Sequence, residues 1–198
     1  SGQANPADDE LTESYGYRRT TMRPFGHWGV LFEMLGRYQK PTIAAVNGLA
    51  AGGGLSLALV ADMRIAATDS SFIAVFVRRG LVPDTGTSFL LPQLIGPGRA
   101  SEMMMSGRKV SAAEANEWGM VNRLVEPENL MEETLSLARE IAHGPSIAIE
   151  MTKRLITGVT RDGFETQLQR EGWGQSIASA SEDWREGSRS SMWYWRIS

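Results

Sequence analysis

The 198-residue sequence predicts an α/β core followed by a C-terminal helical region, on three observations. Short runs of β-branched and small apolar residues at Thr42–Val46, Met63–Ala67 and Met120–Val125 alternate with stretches of helical spacing. The first run ends at Asn47-Gly48 and reaches three consecutive glycines, Gly52 to Gly54, before the apolar segment from Leu55 to Val60. From Pro145 onward the chain is helical in pattern with little strand signal. The division this implies is a core over residues 1–140 and a helical region over 141–198.

Ser1 to about Pro24 is polar and reads as loop or weak helix. Trp28, Leu31, Phe32 and Leu35 recur at helical spacing, so an amphipathic helix runs from Phe25 to Tyr38 and stops at Lys40-Pro41. Thr42–Val46 is a buried strand, Asn47-Gly48 a turn, and Leu55–Val60 a buried helix that starts from the glycines. Met63–Ala67 is a short strand, and Ser71–Val77 is a further apolar stretch. Gly80–Pro83 is a turn; Thr87–Leu94 and Pro97–Met105 are helices. Ser111 and Glu114 form a capping-box pattern that opens a helix ending at Gly119. Met120–Val125 is the last strand, and a long helix spans about Asn129 to His143.

Composition narrows the function. Hydrophobic residues make up 42% and charged residues 22%, ordinary for a globular domain, so neither disorder nor a fibrous repeat is indicated. A net charge of −3 argues against nucleic acid or an anionic membrane as the main partner. With no cysteine, thiolate catalysis, disulfides and cysteine zinc sites are excluded. The two histidines, His27 and His143, lie far apart without metal-ligand spacing, so no metal site is expected. Asp62 and Arg64 interrupt the best apolar run and no signal-peptide pattern occurs, which makes the cytoplasm the expected compartment.

Two features carry chemistry. Glycines entering a helix let a ligand approach the backbone and aim unpaired N–H groups, at the positive end of the helix dipole, toward developing negative charge. Gly52–Gly54 fit such an oxyanion cradle, and also fit close helix packing. Asp84, on the Val82-Pro83-Asp84-Thr85-Gly86 turn, is a candidate acid or base; it also fits an N-cap for the helix from Thr87. Asp62 is read as a partner for backbone groups, Arg78-Arg79 as a solvated pair, and Met103–Met105 as core or pocket lining.

The motifs, taken together, resemble the crotonase (enoyl-CoA hydratase/isomerase) family. The resemblance is carried by Ile43–Gly54, Ala61–Ala66, Gly80–Gly86, Leu94–Gly96, Ser106-Gly107, Ala112–Glu117 and Trp118–Asn122. It implies a spiral of ββα units with a C-terminal helical trimerisation region, assembled as a homotrimer or dimer of trimers. The substrate would be an acyl-CoA thioester, with coenzyme A part of the substrate and no separate cofactor. Its carbonyl would be held by two backbone N–H groups, one from Gly53 and one from Gln3 in the Ser1–Ala4 loop. Family members carry strands and a helix before that loop, so the sheet expected from this chain is N-terminally incomplete.

Hydratases of the family use two glutamates, and Ser56 and Phe76 stand at those positions here. Neither side chain serves carboxylate acid/base chemistry. Asp84 stands where isomerase-type members carry an acid. Within the family the chain resembles the ring-epoxide/enoyl-CoA isomerase subgroup of phenylacetyl-CoA degradation, at Gly80–Asp84, Phe89–Pro92, Glu117–Met120, Thr166–Leu168 and Trp184–Gly187. The resemblance implies an acyl-CoA isomerase that moves a double bond or opens a ring epoxide, with Asp84 as proton shuttle. Phe76, Trp28, Ser56 and Pro83 would line the substrate pocket. Two alternatives stand beside it. One is a hydrolase like the 4-chlorobenzoyl-CoA dehalogenases, disfavoured because Gly29 occupies the position of their helix histidine and His27 lies on another face. The other is a non-catalytic CoA-binding or assembly homologue, supported by the loss of both glutamates, the N-terminal region expected to be missing, and the aromatic tail within Ser188–Ser198.

Overall fold

The computed structural model describes residues 26–178. Gln3 and the aromatic tail lie outside them, as does the side chain of His27. The chain opens with helix α1, Gly26–Gly36, in which Phe32 is buried. Strand β1, Ile43–Val46, follows, then β2, Leu49–Ala51, and helix α2, Gly53–Val60. The same order repeats: β3, Met63–Ala67, then β4, Ser71–Ile73, a 3-10 turn at Val75–Arg79, and helix α3, Thr87–Ile95. Helix α4, Pro97–Ser106, leads to β5, Lys109–Ser111, helix α5, Ala112–Glu117, and β6, Arg123–Val125. After a short 3-10 turn come α6, Leu130–Ala142, and the 33-residue α7, Ser146–Ala178.

Each strand-strand-helix unit sends its first strand to one sheet and its second to another. The first sheet is β1-β3-β6, parallel throughout; the second is β2-β4-β5, with β2 and β4 parallel and β4 and β5 antiparallel. This is the ββα repeat the resemblance implies. Leu55, Leu59, Phe72, Leu91, Met103 and Val110 fill the core between sheets and helices. Burial of such side chains contributes roughly 1.5–3 kcal/mol each and dominates the fold's stability.

Strand β2 occupies the three residues between Asn47-Gly48 and the glycines, to which the sequence assigned no element. Three residues hold it, paired among the described residues with Ser71–Ile73 across the fold. Strand β6 is shorter than the predicted Met120–Val125, because Met120 and Val121 pack into the core before pairing with β3 begins. Of the three methionines, Met103 is core, Met104 packs against it, and Met105 is exposed. Ser111 caps α5 by accepting the Glu114 N–H (3.2 Å), but the Glu114 carboxylate pairs with Arg108 (2.6 Å) instead of closing the predicted box.

Two polar groups lock the connections. Buried Arg64 donates to the carbonyls of Ala61 (2.7 Å) and Met120 (2.7 Å), and at 3.3 Å to those of Ala58 and Leu59. It thereby satisfies the carbonyl end of α2 with a cation. Asp62 accepts the Thr42 N–H (2.7 Å) and the Lys153 ammonium (2.8 Å), which fastens α7 to the start of β1. Its role is structural, as read from the sequence. Helix α7 packs on α1 and α3, where Gly163 admits the Phe89 ring. No helix among the described residues is long and apolar enough to cross a membrane.

Candidate active site

The glycine triplet divides into two kinds of glycine. Gly52 has φ 52° and ψ −118°, its N–H bonds to the Ile73 carbonyl (3.1 Å), and a Cβ there would sit 3.3 Å from Val75. The backbone and the packing both require glycine at this position. Gly53 and Gly54 are different: both are exposed, and a Cβ at either would meet nothing within 4 Å among the described residues. Close packing therefore does not explain them. They begin α2, and among the described residues no side chain caps its N-terminus, so its first-turn N–H groups have no side-chain acceptor there.

Asp84 is half-buried on the turn between the 3-10 segment and α3, flanked by half-buried Pro83. Burial pushes its carboxyl above the usual carboxylate range, against the opposing pull of its own backbone N–H. It makes no hydrogen bond or ion pair with another described residue. The alternative role as N-cap of α3 is overturned: the cap position is Gly86, with φ 81°, and Asp84 bonds no amide of that helix. Phe76 is buried in the 3-10 turn, where its carbonyl accepts the Leu81 N–H (3.1 Å) and shapes the entry to the Asp84 turn.

Ser56 corrects its expected place in the pocket wall. It is fully buried, and its hydroxyl lies 2.5 Å from Thr85 Oγ1, 2.6 Å from Thr87 Oγ1 and 3.2 Å from the Gly52 carbonyl oxygen. A hydroxyl has one proton and two acceptor sites. All three contacts are satisfied when both threonines donate to Ser56 and Ser56 donates to Gly52. The residue bolts the glycine helix to the turn that carries Asp84. Trp28 is exposed on α1, with 59% of its surface accessible.

The sequence reading missed Glu171. This buried side chain, from α7, accepts the Gly86 N–H (2.5 Å), the Ser88 N–H (3.2 Å) and the Ser88 hydroxyl. Burial pushes its pKa up to about 7; the three donors pull it down, and the nearby charge of Asp84 adds to the rise. The one local signal was Gly174, three residues on, where a mid-helix glycine marks close approach: a Cβ there would lie 3.3 Å from Val82. Among the described residues no cluster of three or more His, Asp or Glu forms a potential metal site.

Comparison with known proteins identifies the family. The sequence pattern described as enoyl-CoA hydratase/isomerase matches residues 17–191. The chain is 40% identical over 157 residues to the 1,2-epoxyphenylacetyl-CoA isomerase of Escherichia coli, covering 79% of this chain and 60% of that protein. It is 44% identical over 144 residues to a probable enoyl-CoA hydratase, EchA12, of Mycobacterium tuberculosis, covering 72% of this chain and 50% of the relative. The crystal structure of an enoyl-CoA hydratase/isomerase from Pseudoalteromonas atlantica superimposes with a TM-score of 0.78 at 34% identity, covering 80% of this chain and 64% of that one. The chain thus spans between half and two thirds of the length of these relatives. By the pattern match, the identities and the shared ββα architecture, it belongs to the enoyl-CoA hydratase/isomerase family of crotonase fold.

Proposed function

We propose that this chain is an acyl-CoA isomerase in which Asp84 is the single proton-shuttling carboxylate. The observation that carries the proposal is the set of side chains at the three acid positions. Ser56 is buried and bonded to threonines, Phe76 is apolar, and Asp84 alone is a carboxylate, half-buried and without a protein partner among the described residues. Water addition by two glutamates has no counterpart in that set. The similarity to an epoxide isomerase supports the same reading, while the hydratase names among the relatives support only the family.

In the proposed cycle the Asp84 carboxylate takes a proton from the carbon between the thioester carbonyl and the double bond. The C–H electron pair moves into the carbonyl system and gives a dienolate. The Gly53 N–H, with Gln3 as the expected second donor, holds the oxygen that gains charge. Protonated Asp84 then returns the proton to a different carbon, so that no atom is gained or lost. A carboxyl raised by burial is suited to both steps, because a catalytic pKa near the working pH serves as acid and as base. The same scheme extends to opening a ring epoxide, where the shuttled proton is delivered to the departing oxygen. Assembly as a homotrimer or dimer of trimers belongs to the proposal, and sedimentation of the protein tests it.

Asp84→Asn is the deciding variant. Double-bond migration in a 3-enoyl-CoA should fall by at least about 10³-fold, while binding of the CoA ester is retained. Full isomerase activity in that variant would sink the mechanism. Halide release from 4-chlorobenzoyl-CoA by the wild type would replace it with the hydrolytic reading.

A further inference from the structure

The turn that presents Asp84 is gripped from two sides in alternation. Thr85 and Thr87 bond to Ser56 on α2; Gly86 and Ser88 bond to Glu171 on α7. Helix α7 also touches the turn on the other side of Asp84, where Gly174 leaves room for Val82. Asp84 is thus bracketed by two contacts with one helix, at Val82 and at Gly86. The Gln175 side-chain oxygen, one helical turn beyond Glu171, is buried without a hydrogen-bond partner. A buried carboxylate and a buried amide oxygen on the same stripe of α7 are costly features for a surface that serves packing alone.

We infer that Glu171 is a positioning residue for Asp84: by holding the amide of Gly86 and the amide and hydroxyl of Ser88, it fixes the turn from which Asp84 reaches the substrate, and it couples that turn to α7. The inference rests on Asp84 being the proton-shuttling group. Glu171 does not touch substrate in this role, because its oxygens are occupied by the first turn of α3. It acts through geometry, and through its own charge state. An ionised Glu171 is the better acceptor for three donors, and it also opposes ionisation of Asp84. Titration of Glu171 therefore tightens or loosens the turn and alters the basicity of its neighbour. Asp84 is the ionisable group that faces it. Helix α3 carries no charged residue, and the Glu33–Arg37–Glu165 and Lys153–Asp62 groups lie elsewhere along α7, against α1 and the start of β1.

The test compares wild type, Glu171→Gln and Gly174→Val in the full chain, each checked for folding by thermal denaturation. Glu171→Gln should lower kcat about 10- to 100-fold with KM changed by less than about threefold, the pattern of a displaced catalytic group. With Glu171 titrating at about 7, the wild-type pH–rate profile should show an inflection there, and Glu171→Gln should lose it. Gly174→Val pushes on Val82 without touching a charge; it should lower kcat and keep that inflection. Hydrogen exchange gives a readout free of turnover: the Gly86 and Ser88 amides should exchange about tenfold faster in Glu171→Gln. Wild-type kcat, an unchanged inflection or unchanged amide exchange in a folded Glu171→Gln protein overturns the inference. Failure of the isomerase reading appears instead as an active Asp84→Asn variant, so the two outcomes are distinct.

Discussion

Helices α2 and α3 both start after a glycine of positive φ, 52° at Gly52 and 81° at Gly86, and neither glycine offers a side chain to its first turn. From that common beginning they diverge. The N-terminus of α3 is filled from within, by the Glu171 carboxylate of a helix far away in the chain. Among the described residues the N-terminus of α2 has no side-chain cap, and nothing packs where Cβ atoms at Gly53 and Gly54 would stand. An uncapped helix start presents partial positive charge to whatever oxygen comes near. One start is completed by the protein; the other is left without a side-chain cap among the described residues, as the proposed oxyanion role requires. Ser56 ties the two together through Thr85 and Thr87.

Closing the open end should produce the largest effect. Gly53 is the first helical residue of α2, the position at which proline is best tolerated because its missing N–H is not used within the helix. Gly53→Pro deletes the donor with little disturbance to the fold. Removal of one oxyanion donor costs about 10²–10³ in kcat, or roughly 3–4 kcal/mol of barrier. Turnover of an enoyl-CoA should drop by that factor with a thermal midpoint close to wild type. Undiminished turnover would mean that the bare amide of Gly53 is not where the oxygen sits.

The filled end reports itself through pH. The folded protein holds the Glu171 proton up to about pH 7, whereas an unfolded chain releases it near 4.5. The folded pKa is raised, so Glu171 contributes its stability fully below pH 4.5 and loses it as pH climbs through about 7. The shift corresponds to about 3 kcal/mol across that window. Asp84, also raised by burial, contributes with the same sign. Urea midpoints measured from pH 4 to pH 8 should fall more steeply for wild type than for Glu171→Gln. Parallel curves for the two proteins would remove the buried titration from the account.

The contrast between the two helix starts was only half legible in the sequence. Gly52–Gly54 stand beside a strand with strong local signals, so the open end could be located from spacing alone. Strand β3 matches its predicted limits, Met63–Ala67, for the same reason: a β-branched and small apolar run bounded by polar residues. The filled end depends on a contact 85 residues apart, between Glu171 and Gly86, in a helix whose local pattern is merely polar. Strand β2 was hidden likewise, since three residues acquire their strand character from pairing with Ser71–Ile73. Ser56 shows a further limit. Its position identified a missing glutamate, but nothing local revealed that its hydroxyl would bind Thr85 and Thr87, which lie beyond two strands.

Cutting the link between the two ends is the mildest perturbation. Ser56→Ala removes one buried oxygen and deprives the hydroxyls of Thr85 and Thr87 of their shared partner in a site with almost no access to water. The Gly52 carbonyl keeps a partner, because the Ser56 N–H still bonds to it at 3.0 Å. The unsatisfied threonines set the cost, at about 1–3 kcal/mol of folding stability. Turnover should fall less than in Gly53→Pro, by about tenfold, because both ends survive and only their mutual register loosens. The informative comparison is the double variant Ser56→Ala/Glu171→Gln. If the turn is held as a unit by its two grips, the losses in kcat will not be additive, since either change already frees Asp84. Strict additivity would mean that Ser56 and Glu171 act on the turn independently, and the two helix starts would then be neighbours without being coupled.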